Sequence, residues 1–358
     1  MATNANPTPT MQSSNNKTAK VPVYMVMLLF VVGVLVTAFN LPSESVDYPR
    51  RPISNIVVWS AGGGTDVANR MISGELARVL DVDINVSNKP GGIAGSLGLS
   101  YVKQRASDGY TLVGLSESCV TAAVMGGWDE RMDVWYPFII GGSVDLISVA
   151  KDSEINNIQE LVSYAKENPG ALKASAGGSG SLHHLNLLAF AKGTETELTF
   201  IPYPGSAPAQ TAAITGEVDL VITSLAEQQQ LIKSGQLRPL AMLGVDDFSD
   251  PDMGDIQSAL KIFPTLQQHL PITQVIGLAI KDDASPEVKQ LLTEAFEDAL
   301  KSEKVQNWAK ENYFVISGAS GEAAKEEFRK LESLFAWTLQ ELGVTRRHPE
   351  TLNIQRPN

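Results

Sequence analysis

Apolar positions along this chain follow two periods in turn. Short β-rich runs recur at Ile53–Trp59, Ile84–Val86, Thr111–Leu115, Phe138–Ile140, Ile147–Ala150, Leu198–Ile201, Val218–Thr223, Leu237–Leu243 and Val275–Ile280. Helical stripes lie between many of them. Val67, Met71, Leu76, Val79 and Leu80 share one face, and Val288, Leu291, Leu292, Ala295, Phe296, Ala299 and Leu300 repeat at three- and four-residue steps. Ser285 and Pro286 supply the N-cap and first position of that second helix. Phe328, Leu331, Phe335 and Leu342 mark a third stripe. Strand–helix alternation predicts α/β layers built on largely parallel sheets. No Ser/Gly linker or repeat marks a domain boundary, which suits α/β units joined by short crossovers.

The first forty residues break this pattern. Residues 1–20 are rich in Asn, Thr, Ser and Pro, with Lys17 and Lys20 as their only charges, and the apolar run Val21–Phe39 follows. At 19 residues it sits between a signal-peptide core and a membrane-spanning helix. Its positive flank places the N-terminus in the cytoplasm. Val36-Thr37-Ala38 offers small residues for a signal peptidase, so export is expected, by a cleaved signal peptide or an inner-membrane anchor.

Composition narrows the function classes. The 358 residues are 43% hydrophobic and 19% charged, an ordinary globular balance of roughly two domains. The net charge is −12, and loss of the leader would remove two lysines and no acid. Such a chain lacks the positive footprint of a nucleic-acid binder. Its one cysteine, Cys119, excludes an internal disulfide and a Cys-rich zinc site. No cofactor or metal is expected.

Three glycine-rich turns carry candidate chemistry. Ser60-Ala61-Gly62-Gly63-Gly64-Thr65-Asp66 joins a strand to a helix, a geometry that aims backbone N–H groups and a helix dipole at an anion. It is neither a Walker A loop nor a dinucleotide fingerprint, lacking the spacing of both. Asp66 either stabilises the helix start or faces a ligand. Ser175-Ala176-Gly177-Gly178-Ser179-Gly180-Ser181 precedes His183 and His184, adjacent histidines that point to different helix faces and so make a poor metal chelate. His183 is open to a polar site role or to a surface or capping role. Pro202-Tyr203-Pro204-Gly205-Ser206-Ala207-Pro208-Ala209 is either a rigid connector or a third site loop.

Read in order, these pieces form a larger pattern. Tyr48-Pro49-Arg50-Arg51-Pro52-Ile53 leads into Ile56-Val57-Val58-Trp59 and the first glycine turn. Asn88-Lys89-Pro90-Gly91-Gly92, Gly95-Ser96-Leu97-Gly98 and Asp108-Gly109-Tyr110-Thr111-Leu112 follow. After the Ser179 turn and the Tyr203 loop come Gly216-Glu217-Val218-Asp219 and Ser234-Gly235-Gln236-Leu237-Arg238-Pro239-Leu240-Ala241. Over residues 48–345 the set resembles the substrate-binding receptors of tripartite tricarboxylate transporters, the Bug or TctC family.

The resemblance implies a two-lobed periplasmic binding protein of type II topology. Lobe 1 would comprise residues 47–146 and 270–358, and lobe 2 residues 147–269. It implies a monomer in the periplasm of a Gram-negative bacterium that closes on a small carboxylate and docks on membrane permease subunits. Carried over, Trp59, Ala61, Gly63, Gly64, Thr65 and Asp66 line the cleft from one lobe. Ser175, Gly178, Ser179, His183, Tyr203, Gly205, Ser206 and Ala207 line it from the other, and Ser116 and Ser118 are further contacts. Departures from the family pattern touch the ligand rather than the fold. Trp59 replaces a smaller aromatic, Pro204 replaces a basic residue, and the Pro264–Leu270 and Val275–Leu278 segments lack the usual Glu, Gly and Trp.

Two other classes compete. A membrane-tethered sensor or scavenger of carboxylates would follow if Val21–Phe39 stays attached and no permease serves it. An α/β hydrolase would need a Ser-His-Asp set or a Gly-x-Ser-x-Gly elbow, and the sequence displays neither.

Overall fold

In the computed structural model the described residues are 1–2 and 47–357, and those from Tyr48 onward form one compact unit. The expected tail and the Val21–Phe39 segment lie outside the described residues. Among the described residues no helix is long and apolar enough to cross a membrane.

Thirteen strands form among the described residues: β1 (Ile53–Val57), β2 (Ile84–Asn88), β3 (Thr111–Ser116), β4 (Trp135–Gly142), β5 (Asp145–Ala150), β6 (Lys173–Ala176), β7 (Thr199–Pro202), β8 (Leu220–Ser224), β9 (Leu237–Met242), β10 (Phe248–Asp250), β11 (Gly254–Ile256), β12 (Ile276–Lys281) and β13 (Val315–Ile316). One sheet runs β13–β4–β12–β3–β1–β2 and the other β7–β6–β8–β5–β9, while β10 and β11 make a separate hairpin. Each large sheet is the frame of one lobe.

The two sheets share a plan. In the first, β2, β1 and β3 run parallel, and β12, arriving from the other lobe, lies antiparallel between β3 and β4. In the second, β7, β6 and β8 run parallel, and β5, also arriving from the other lobe, lies antiparallel between β8 and β9. A crossing strand inserted between the third and fourth is the type II arrangement. It corrects the expectation of largely parallel sheets. Strands linked by helical crossovers must run parallel, whereas a strand entering from the opposite lobe comes in reversed.

Helix packing follows the predicted stripes with one offset. The Pro286–Leu300 helix buries Val288, Leu292, Ala295, Phe296, Ala299 and Leu300 under the first sheet, and the Ser285 hydroxyl accepts from Val288 N–H as its cap. The Gly64–Leu80 helix instead buries Ala68, Ile72 and Leu76 beside Thr65, Asn69 and Ser73, leaving Val67 exposed. Polar residues displace the apolar stripe because their bonds are made inside. Asn69 Nδ2 donates to Thr65 O at 2.8 Å and to Gly277 O at 3.1 Å. Asn55 Nδ2 donates to Asn69 Oδ1 at 2.9 Å and to Ser73 Oγ at 3.1 Å. This network ties β1, β12 and the start of the helix into one block.

The chain passes between lobes twice, at residues 143–144 and within 257–275. The two passages touch, with Gln274 N–H donating to Ser143 O at 3.1 Å. A Cβ at Gly142 would lie 1.5 Å from Gln274 O, so only glycine lets the strands meet there. Gly142→Ala is therefore expected to lower the melting temperature by about 5 °C or more. Gly74→Ala, in the exposed interior of a helix, should leave it unchanged or raise it. Equal melting temperatures for Gly142→Ala and the parent would refute this account of the crossing.

Candidate ligand-binding site

The first wall of the site is the turn after β1. Gly62 sits at φ +83°, a left-handed conformation suited to glycine, and Gly63 is the extended N-cap of the following helix. Asp66 holds the turn from within. Its carboxylate accepts from Gly62 N–H at 2.9 Å, Arg70 Nε at 2.9 Å and Asn88 Nδ2 at 2.8 Å. Burial works against its charge, but these bonds outweigh it and keep the acid below the usual carboxylate range.

The second wall comes from the other lobe. The Ser175–Ser181 turn leads from β6 into the Leu182–Thr194 helix, where Ser181 Oγ accepts from His184 N–H. The 203–206 loop after β7 presses on the first wall, with Ser60 N–H donating to Pro204 O at 3.2 Å. A Cβ at Gly205 would lie 2.2 Å from Ser60 Oγ. Further bonds close the two lobes on each other. Ala94 N–H donates to Ser179 O at 3.2 Å, Leu182 N–H to Ser118 Oγ at 2.9 Å, and Thr121 Oγ1 to Gly180 O at 2.5 Å. Gly64 N–H donates to Glu227 Oε1 at 2.7 Å, so a carboxylate of lobe 2 sits on a helix N-terminus of lobe 1.

A buried charge cluster lies behind these loops. His183 Nδ1 is 2.8 Å from Asp145 Oδ2, and its Nε2 is 3.4 Å from Glu227 Oε2. Asn186 Nδ2 also donates to Asp145 Oδ2, at 2.8 Å, and Ser224 N–H and Oγ both donate to Glu227 Oε2 at 2.9 Å. Burial alone would lower the His183 pKa, but the Asp145 and Glu227 carboxylates lift it to about 9. Glu117, at the end of β3, accepts from Ser118 Oγ at 2.7 Å and Val275 N–H at 2.6 Å. Burial raises its pKa to about 7 despite those bonds. His184 is different: burial lowers it to about 4, and its ring stacks on Phe200 at 4.0 Å.

The loops and the cluster together enclose a cavity of about 20 Å³, room for about one water. Of the residues anticipated from the sequence, Trp59, Gly63, Gly64, Thr65, Ser116, Ser118, His183, Gly205 and Ser206 line it. Trp59 reaches it with its Nε1 donating to Ser116 Oγ at 3.1 Å. The others lie off its wall. Ala61 is exposed, and Asp66 is fully engaged inside lobe 1. Ser175 Oγ donates to Ala209 O at 3.0 Å, and Ser179 contributes its carbonyl to Ala94. Gly178 backs Trp59, with room for a Cβ only 3.1 Å from the indole, and Ala207 packs beside Gly62. Tyr203 is half-buried against the apolar core of lobe 2.

Gly177 and Ser181, from the anticipated second turn, also line the cavity, while Glu117, Glu227 and Gln274 line it without having been anticipated. Glu227 had a visible signal: Ser224-Leu225-Ala226-Glu227 is the capping-box spacing, which marks a carboxylate at a helix start. Glu117 lies between the two serines that were anticipated, and only its burial distinguishes it from a surface acid. No cluster of His, Cys, Asp and Glu among the described residues could hold a metal ion.

Comparison with known proteins places this architecture. The chain is 26% identical over 314 residues to the UPF0065 protein in the gbd 5′ region of Cupriavidus necator, covering 85% of this chain and 91% of that protein. The periplasmic binding protein BugD superposes with a TM-score of 0.76 at 24% identity, over 83% of this chain and 99% of that one. Rpa4515 of R. palustris, solved with adipate, superposes with a TM-score of 0.76 at 22% identity, over 84% of this chain and 99% of that one. The model of the tripartite tricarboxylate transporter family receptors matches residues 68–324. The chain therefore belongs to that family of receptors.

Proposed function

We propose that this protein is a periplasmic solute receptor that closes on a small carboxylate and delivers it to a tripartite tricarboxylate-type permease. One observation carries the reading: loops from two separate sheets meet through Ser60–Pro204 and Gly64–Glu227 around a small cavity that residues of both line. Adipate in Rpa4515 supports a carboxylate as the solute class. A cavity of about 20 Å³ is too small for such a molecule, so entry needs the lobes to part about residues 143–144 and 257–275. Closure then shifts the population toward the form a permease would recognise. Backbone N–H groups of Gly205 and Ser206, at the start of the Ser206–Ile214 helix, are the donors for a carboxylate.

Saturation with a bound carboxylate at about a hundredfold over its dissociation constant should stabilise the protein by about 2.7 kcal/mol. That corresponds to a melting shift of about 4 °C, read in a thermal-shift screen across mono-, di- and tricarboxylates. No shift with any of them would sink the reading. Gly205→Ala places a Cβ against Ser60 only when the lobes are together. It should cut affinity at least tenfold and abolish ligand-induced compaction in small-angle scattering.

The Asp145–His183 pair matches two members of a hydrolytic triad, but the third position is wrong for that chemistry. His183 Nε2 faces the Glu227 carboxylate rather than a serine, so the imidazole is held charged and has no lone pair to act as a base at neutral pH. The same pair makes a stability prediction. A histidine raised from 6.5 to about 9 contributes stability that is complete below pH 6.5 and lost as pH climbs through 9. The Glu117 shift, from 4.5 to about 7, acts only at lower pH. The melting temperature should fall by several degrees between pH 7.5 and 9, and His183→Gln should flatten that slope. An unchanged slope in the variant would show that His183 does not carry it.

A further inference from the structure

The receptor reading leaves the charge of the cavity unexplained. No Arg or Lys lines it, and its one basic side chain, His183, faces carboxylates with both ring nitrogens. Two acids, Glu117 and Glu227, form part of the wall, from different lobes. Gln274 lines the same cavity at 4% exposure, and its Oε1 has no hydrogen-bond partner. A wall of this kind is rich in acceptors. A plain dicarboxylate would bring a second negative charge against Glu117 and Glu227 in a region of low dielectric, with no free cation to offset it.

We infer that the solute carries an ammonium group as well as a carboxylate, and that Glu117, Glu227 and Gln274 receive the ammonium end. This rests on the receptor reading above and narrows its ligand class from carboxylates at large to amino acids and related zwitterions. An ammonium offers three donors and no acceptor, which matches an acceptor-rich wall. The carboxylate end is taken by Gly205 and Ser206 at the start of the Ser206–Ile214 helix, where the first N–H groups of a helix have no intrahelical acceptor. Glu117 suits the task because burial leaves its charge poorly stabilised until a cation arrives. Asp66, which the sequence left open to face a ligand, does not line the cavity.

Isothermal titration of the purified protein with matched pairs tests this. Suitable pairs are propionate with alanine, butyrate with 4-aminobutyrate, and succinate with aspartate. The amino member of the bound pair should bind at least tenfold more tightly than its desamino partner. In Glu117→Gln or Glu227→Gln the preference should shrink to about threefold or less, with circular dichroism confirming the fold. Because each variant could lose affinity merely through a damaged cleft, the desamino acid is the control. It should bind Glu117→Gln as well as, or better than, the parent, whereas Glu227→Gln, which also alters the lobe contact with Gly64, is read only as the ratio within each pair. If desamino acids bind the parent as tightly as their amino partners, the inference falls and the receptor reading stands. A preference that persists in both variants overturns the assignment to these residues. Absence of binding across every pair overturns the inference and the receptor reading together.

Discussion

A carboxylate from one lobe bonded to the helix N-terminus of the other is the contact on which the site depends. Glu227 Oε1 accepts from Gly64 N–H while Oε2 accepts from Ser224 and faces His183. Three kinds of constraint meet in that one side chain. The Gly64–Leu80 helix offers unpartnered donors and a positive dipole end. The Ser224 cap fixes where the carboxylate points. His183, held in turn by Asp145, balances its charge. A Cβ at Gly64 would lie 2.8 Å from Glu227 Oε1, so any larger residue would push that carboxylate aside.

The same arrangement explains how an acidic protein can recognise small charged solutes. With a net charge of −12, long-range steering of anions is unfavourable. Recognition has to come from groups that act only at contact. The cavity wall holds two kinds of them, the start of the Ser206–Ile214 helix at Gly205 and Ser206 and the side chains of Glu117, Glu227 and Gln274. Rigidity beneath the wall comes from the first sheet, where the Asn55–Asn69–Ser73 network locks the helix start to β1 and β12.

Much of the fold was legible because its signals are local. Each of the nine apolar runs overlaps a strand, and the Ser285-Pro286 start and the Pro286–Leu300 stripe appear as read. The parallel-sheet expectation failed for a non-local reason. Strand direction within β12 and β5 is set by which lobe the chain arrives from, and nothing in their residues records it. The Gly64–Leu80 stripe slipped because Asn69 and Ser73 are buried by partners on β1 and β12, far away in sequence.

By itself the sequence determined the alternation of strands and helices, the glycine turns that the site needs, and the family to which their ordered set points. Those follow from propensity, periodicity and glycine's freedom, all properties of neighbouring residues. Tertiary structure alone decided the chemistry of the cavity. It turned Asp66 inward to hold its own turn and brought Glu117, Glu227 and Gln274 to one wall from three distant segments. Burial and opposed charges, which exist only once both lobes are folded, then set the protonation of His183 and Glu117.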